Sequence, residues 1–338
     1  MEDVITLDYG SGGVKTSRLI EEILLPAFHS TRLDQLGDGA LLPPPSGPLV
    51  FSTDSFVVSP WRFPGGDIGK LAVCGTVNDL SVSGARPLYL SLSFILEEGF
   101  SIRDFRTIVD SIACTAKSAG VEIVTGDTKV VERGKGDGIY INTSGIGVLL
   151  PEASGLGPSA IRPGDAVLLS GTPGCHGAAV LMARGELPCE GNLASDCMAL
   201  NQMCEHVLKA VAPGSIRVMR DPTRGGVATT LNEFVEHTPL TIELEEKSLP
   251  SSPAVSAACS LLGLDPLYCA CEGRVLIIAA EKEAPSVLSA LRQTKGGSDA
   301  AIIGRVTAAH PGYVVLCTPL GGSRILGKLS GNQLPRIC

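Results

Sequence analysis

Charged residues make up only 18% of this 338-residue chain, and its 27 basic side chains are outnumbered by 35 acidic ones, for a net charge of −8. That balance excludes the basic footprint of a nucleic-acid binder, so anionic substrates have to be met by local groups. No uncharged apolar run reaches 18 residues, and no membrane span is expected. The start, Met1-Glu2-Asp3, is acidic and is followed by no apolar run, which argues against a secretory signal or transit peptide and for a cytoplasmic protein. There is no Cys-x-x-Cys among the eleven cysteines. With an odd number in a chain this long, buried reduced thiols are expected rather than a disulfide framework. The Gly-x-x-x-x-Gly-Lys-Ser/Thr signature of a P-loop is also missing.

What is present is a patterned chain with 44% hydrophobic residues, long enough for two domains. Apolar spacing predicts helices over 18–28, 69–83 and 102–119, the last closed by Gly120, and strands over 49–58, 88–96, 122–125 and 138–149. The turn-rich segment 151–163 separates a second alternation. It has strands at 165–170, 215–219, 241–244, 274–280 and 301–306, and helices at 177–184, 193–211, 227–236 and 285–292. An edge hairpin and a mobile end, 328–338, follow His310. The expected units are residues 1–155, 156–311 and a C-terminal segment 312–338. The strands around Asp54, Leu92 and Ile141 read as apolar on both faces, more than one helical layer covers, which predicts a homodimer.

Several motifs carry chemistry. Gly10-Ser11-Gly12-Gly13 is a flexible backbone that can approach phosphates, and Asp38, Asp54, Asp79 and Asp127 recur at element edges as candidate magnesium ligands. Singly, the glycines read as a linker and each Asp as a helix cap; their recurrence in one half of the chain favours a metal-nucleotide site. Lys129, Arg133 and Lys135 crowd the stretch 125–137, either as a polyphosphate clamp or as a solvated turn. Asp221-Pro222-Thr223-Arg224-Gly225-Gly226 is a candidate anion seat or a tight strand-to-helix turn. The chain ends Pro335-Arg336-Ile337-Cys338, a terminal thiol on an arm that beyond Gly312 could stretch roughly 85 Å at about 3.3 Å per residue. Arg336 would partly offset the effect of the terminal carboxylate on that thiol.

Thr53-Asp54-Ser55-Phe56-Val57-Val58-Ser59-Pro60, the stretch from Phe63 to Leu80, Gly126-Asp127-Thr128-Lys129-Val130-Val131, the Asp221 motif and the terminal Pro-Arg-Ile-Cys together resemble the HypE family, the carbamoyl dehydratases of nickel–iron hydrogenase maturation, within the AIR-synthase-like superfamily. The resemblance spans essentially the whole chain. It implies an α/β (α+β) two-domain AIR-synthase-like fold, with mixed sheets, helices packed on one side and a flexible C-terminal tail. It implies a reaction in which the S-carboxamide on Cys338, installed by the carbamoyltransferase HypF, is dehydrated at the expense of ATP to a thiocyanate whose cyanide passes to a HypC–HypD complex. Implied catalytic residues are Cys338, Glu272 and Lys135. The implied nucleotide set is Gly10, Ser11, Gly12, Gly13, Asp54, Asn78, Asp79, Gly126, Asp127, Thr128 and Lys129, with Mg2+ on Asp38, Asp54, Asp79 and Asp127. Cys175 departs from the pattern, standing where the family resembles Asp-His-Gly; His176 is kept. A nucleotide-gated thiol carrier without catalysis and a small-molecule kinase or synthetase of the same fold are the alternatives.

Overall fold

The computed structural model describes residues 2–185, 193–329, 331 and 336–338. The N-terminal half contains strands β1 (Leu49–Phe56), β2 (Arg62–Phe63), β3 (Gly66–Asp67), β4 (Ala85–Glu97), β5 (Glu122–Val131) and β6 (Ile139–Leu149), with helices α1 (Val14–Leu19), α2 (Leu25–Phe28), α3 (Ile68–Val82) and α4 (Ile102–Ala119). One sheet runs in the order β1-β6-β4-β5. The β4–β5 pair is parallel, as the intervening crossover α4 requires, and the other two pairings are antiparallel.

Helix α3 is apolar almost all round because it lies between this sheet and α4. Asp67 caps it, accepting from Gly69 and Lys70 N–H at 2.8 and 3.0 Å. At Gly69 a Cβ would sit 2.6 Å from the Ile108 carbonyl oxygen, so the two helices pack closely only with glycine there. Helix α4 is one-sided, capped by Ser101 and ended by Gly120 at φ +71. The helix expected over 18–28 is interrupted: the backbone widens to a π-helical turn at Ile20–Leu24, ahead of Pro26, which has no N–H for the ladder.

Among the described residues no helix covers the other face of this sheet, and that face is not the apolar surface expected from the sequence. Its centre carries Thr53, Ser55, Ser91, Ser93, Asn142 and Ser144 across three strands, with Phe51 (66% exposed) and Ile95 beside them. Ser144 Oγ donates to Thr53 Oγ1 at 2.9 Å, and Asn142 Nδ2 donates to the Asp54 carbonyl at 2.8 Å.

The second half builds a seven-stranded sheet from β7 (Ala166–Leu169), β8 (Ile216–Arg220), β9 (Thr241–Glu245), β10 (Leu276–Ala279), β11 (Ala301–Thr307), β12 (Val314–Cys317) and β13 (Ser323–Leu326), in the order β13-β12-β9-β11-β7-β10-β8. Only β9–β12 is parallel. Its helices are α5 (Cys175–Ala183), α6 (Asn201–Ala210), α7 (Gly226–Val235), α8 (Pro253–Leu262) and α9 (Ala284–Arg292). Along β7, Ala166 and Leu168 face a core shared with α6 and α9, while Val167 and Leu169 face one shared with α7. One-sided layering therefore holds for the first sheet, and the second also has α7 on its other face.

Residues 314–326, expected to belong to a separate C-terminal segment, complete this sheet, and only twelve residues follow Leu326. Their reach is about 40 Å at about 3.3 Å each, half of what the longer arm allowed. The helix expected over 193–211 starts only at Asn201. Before it the backbone bonds to distant partners instead of to itself: Ser195 N–H to Pro64 O at 2.8 Å and Leu200 N–H to Asn78 Oδ1 at 2.8 Å across the domain boundary, and Met198 N–H to Glu272 O at 3.2 Å within the second domain. Helix α8, with Pro253 at its first turn and Gly263 after its end, was not expected from the spacing.

Candidate active site

Of the end expected to be mobile, residues 330 and 332–335 lie outside the described residues, while residues 336–338 are docked. Residues 336–338 run beside the segment after β1: Val57 N–H donates to Cys338 O at 3.0 Å, Ser59 N–H to Arg336 O at 3.3 Å, and Arg336 Nε to Val57 O at 2.9 Å. Arg184 Nη2 also donates to Arg336 O at 2.7 Å, and Ile337 is buried in the N-terminal core. The Arg336 guanidinium pairs with Asp137 and lies 5.9 Å from the centre of the Tyr140 ring. Cys338 thereby lines a cleft of about 390 Å³ together with Asp54, Ser55, Arg224, Tyr268 and Ala270.

Burial, then the Glu272 carboxylate, push the Cys338 thiol up to about 12, Arg224 opposing and Asp54 adding to the rise. The sulfur is therefore S–H at neutral pH. The balancing cation is Arg224 and not the expected Arg336, whose charge is directed at Asp137. Glu272 precedes β10 and is 2% exposed. Burial first, and then Asp221, Asp196, Asp54 and Cys74, hold it well above the ordinary carboxylate range. Its backbone is fixed: Glu272 N–H donates to Asp196 Oδ1 at 3.2 Å and Glu272 O accepts from Asn78 Nδ2 at 3.3 Å.

Asp221, at the end of β8, is 4% exposed and is pushed up to about 7 by burial and then by Asp79. A carboxyl whose folded pKa lies above its unfolded value holds its proton more tightly when folded, so stability is lost as pH rises from about 4 through 7. Asp221→Asn is accordingly expected to raise the thermal midpoint of the nucleotide-free protein at pH 8. The gain, on the order of 2–4 kcal/mol, should vanish near pH 4. Thermal unfolding across that range checks it, and a gain independent of pH would refute the assignment.

The glycine segment lies elsewhere, against β5. A Cβ at Gly10 would meet Val130 N at 2.6 Å, Ser11 Oγ donates to Asp8 O at 2.9 Å, and Gly12, at φ +78, donates to Thr16 Oγ1 at 3.0 Å, with Gly13 opening α1. Between residues 16–37 and β4–β5 is a cleft of about 260 Å³, lined by Thr16, Phe28, Gly37, Phe94, Gly126, Asp127 and Thr128 among others; Gly10–Gly13 adjoin it through Thr16 but do not line it. Gly126 permits the β5–β4 approach, since a Cβ there would be 2.4 Å from Leu92 O. Asp127 accepts from Thr128 N–H at 2.8 Å and pairs with Lys129 at 2.7 Å; that ammonium holds its carboxyl below the usual range.

The four proposed metal carboxylates do not converge. Asp54 on β1 and Asp127 on β5 sit on opposite edges of the sheet, three strand spacings or about 14 Å apart. Asp38 is exposed just past Gly37, whereas Asp79 on α3 is near Asp54 and accepts from Ser52 Oγ at 2.7 Å. Among the described residues no three His, Cys, Asp or Glu side chains are placed to hold a metal. Asn78, expected at the nucleotide, is wholly buried; its amide donates to Met198 O and Glu272 O and accepts from Leu200 N–H, so it clamps the domains together instead. Lys135 is exposed in the β5–β6 turn and is not among the residues lining the Cys338 cleft, although Asp137 two residues on holds Arg336. Cys175 is a buried thiol near Asp196 and Arg274, pushed up to about 11 mainly by burial, so it brings no charge where the family's acid would stand. Sequence reading passed over Asp221 as a site acid and His176 as a contact of the tail.

Residues 36–149 match the N-terminal domain, and residues 162–317 the C-terminal domain, of the AIR synthase related protein family. The chain is 49% identical over 335 residues to carbamoyl dehydratase HypE of Cupriavidus necator, covering 99% of this chain and 95% of that protein. It superimposes with a TM-score of 0.93 on a crystal structure of the hydrogenase maturation protein HypE in complex with ATP, at 47% identity, covering 98% and 99% of the two chains. A HypE–HypF complex gives a TM-score of 0.79 at 45% identity, covering 92% and 99%. The docked terminal cysteine, the buried Glu272 carboxylate whose charge acts on its thiol, and these matches along the whole length agree: the chain belongs to the HypE family of carbamoyl dehydratases.

Proposed function

We propose that this chain dehydrates its own C-terminal S-carboxamide, Cys338–S–C(=O)NH₂ + ATP → Cys338–S–C≡N + ADP + phosphate, providing the cyanide ligand of a nickel–iron hydrogenase. The observation that carries this reading is the inward position of Cys338, in a cleft with Arg224 and under the field of the Glu272 carboxylate. Bound Mg-ATP supplies the phosphoryl group that turns the amide oxygen into a leaving group. Residues 57–59 hold the tail's main chain, so the carboxamide enters in one register. Arg224 faces the charge that develops on the oxygen, and Glu272, a strong base because it is buried, takes one amide proton while the departing phosphate carries away the other.

The ATP cleft is assigned to Gly10–Gly13 and Gly126–Lys129. Magnesium is assigned to Asp54 and Asp79, where burial and the neighbouring Asp79 charge both raise Asp54, a like-charge pair that a divalent cation relieves. Two carboxylates suffice, because Mg2+ keeps several waters and takes its remaining ligands from phosphate. A HypF-type carbamoyltransferase is the donor and a HypC–HypD complex the acceptor. A second copy of the chain is assigned to the uncovered face of the first sheet, which sedimentation at micromolar concentration would test.

Mass spectrometry of the C-terminal peptide tests the reaction: a gain of about 43 after carbamoylation, falling by about 18 with Mg-ATP. A carbamoyl group that persists with Mg-ATP would leave a carrier. Nucleotide turnover that survives removal of the terminal residues would mark a small-molecule kinase or synthetase.

A further inference from the structure

The carbonyls of Arg336 and Ile337 and an oxygen of the terminal carboxylate each have a donor, and the one for Ile337 is an imidazole. His176, in α5, is wholly buried, with Nε2 2.7 Å from Ile337 O and Nδ1 2.8 Å from Ser195 Oγ. A carbonyl oxygen only accepts, so Nε2 carries the proton. Ser195 Oγ accepts from Cys197 N–H at 3.0 Å, which leaves its hydroxyl proton to point at Nδ1. The chain Cys197 N–H, Ser195 O–H, imidazole N–H, Ile337 C=O thus runs in one direction and fixes the tautomer. Burial holds the ring below its ordinary pKa, in agreement with a neutral imidazole.

The ring's plane is set from both domains. Phe63, on β2 of the N-terminal half, packs edge-on against it with ring centres 5.2 Å apart. Ser195 is pinned by its own N–H to Pro64 O at 2.8 Å, and the same hairpin holds Gly65 so close that a Cβ there would be 2.7 Å from Ser195 O. Arg336 O is met by Ser59 N–H and Arg184, and Cys338 O by Val57 N–H; among the described residues His176 alone meets Ile337 O. That carbonyl belongs to the peptide bond leading into Cys338, and its direction sets where the sulfur points.

We propose that His176 is a positioning residue for the dehydration: with Ser195 behind it, it holds the Ile337–Cys338 peptide in the inward register that aims the sulfur's carboxamide at Glu272. This rests on the reaction proposed above, but the latch is separately measurable, because it also sets how often the unmodified thiol swings out.

The experiment compares His176→Leu, which fills the buried volume without a donor, with His176→Gln, which offers an N–H at similar reach. Alkylation of Cys338 by iodoacetamide is followed on the C-terminal peptide, and single-turnover dehydration of carbamoylated protein on the same peptide. His176→Leu is expected to alkylate about five- to tenfold faster and to dehydrate slower by at least that factor, the loss of one buried hydrogen bond, while Mg-ATP affinity is unchanged. His176→Gln should stay within about twofold of the native protein on both measures. If His176→Leu does not fold, Ser195→Ala, which frees the tautomer, takes its place with an expected acceleration of about two- to threefold. Native alkylation and dehydration in the donorless variant, or a Gln variant as impaired as Leu, would overturn the latch. If native protein fails to dehydrate at all, the reaction falls, while the alkylation contrast still decides the latch.

Discussion

Replacing Glu272 by Gln is expected to leave carbamoylation of Cys338 and binding of Mg-ATP intact and to slow dehydration by about 10²–10⁴-fold, the usual contribution of a positioned general base. Gln keeps the size of the side chain, and the backbone bonds of residue 272 to Asp196, Asn78 and Met198 do not involve the carboxylate. Stability and activity should move in opposite directions. A buried carboxyl with a raised pKa holds its proton more tightly in the folded state, so the native protein loses stability as pH climbs above the ordinary Glu value. The Gln variant escapes that loss and should melt higher at pH 8, with little difference near pH 4. The native dehydration rate should instead rise with pH as the carboxylate fraction grows, and the residual rate of the variant should be flat. A variant that dehydrates at the native rate would remove Glu272 from the chemistry.

Glu272 also shows why part of this site could be read from the sequence and part could not. Its place in Ala270-Cys271-Glu272-Gly273-Arg274 carries no local signal, and only resemblance singled it out; its burial is produced by residues 78 and 196–198, far away in the chain. Helix α4 was legible because its cap, its spacing and its closing glycine are all local. Helix α3 was legible because being apolar all round has one common meaning. The stretch 193–200 misled for the opposite reason: its apolar spacing suits a helix, but the N–H groups of Ser195 and Leu200 found acceptors in the other domain and that of Met198 one at Glu272. The strand β5 outran its expected end at Thr125 because Val130 and Val131 pair with Leu96 and Glu97, partners that local composition does not reveal. The tail is the extreme case, since Arg336 bonds to Val57 across 279 positions. A polar, aperiodic end reads as a free arm until the groove that receives it is known.

Asp79→Asn is expected to abolish dehydration at ordinary magnesium concentrations while leaving the fold intact. The fold survives because the one hydrogen bond to this side chain among the described residues, from Ser52 Oγ at 2.7 Å, can be accepted equally by the amide oxygen of Asn. Removing the charge should even stabilise the nucleotide-free protein. Asp79 raises both Asp54 and Asp221, and without it both fall toward ordinary values, which lessens the stability they lose as pH rises toward 8. The metal is affected in the other direction. A magnesium ion held by two carboxylates and a triphosphate loses half its protein charge, and Asp127, on the far edge of the sheet, is not placed to replace it. Native protein at 100 times the dissociation constant should gain about 2.7 kcal/mol of stability from Mg-ATP. In the variant, or in native protein with excess chelator, most of that gain should disappear. Thermal unfolding with and without Mg-ATP, beside the mass change of the C-terminal peptide, measures both effects. If Asp79→Asn turned over normally and kept its Mg-ATP gain, magnesium would have to be held without the Asp54–Asp79 pair, and Asp127 beside the glycine segment would become its seat.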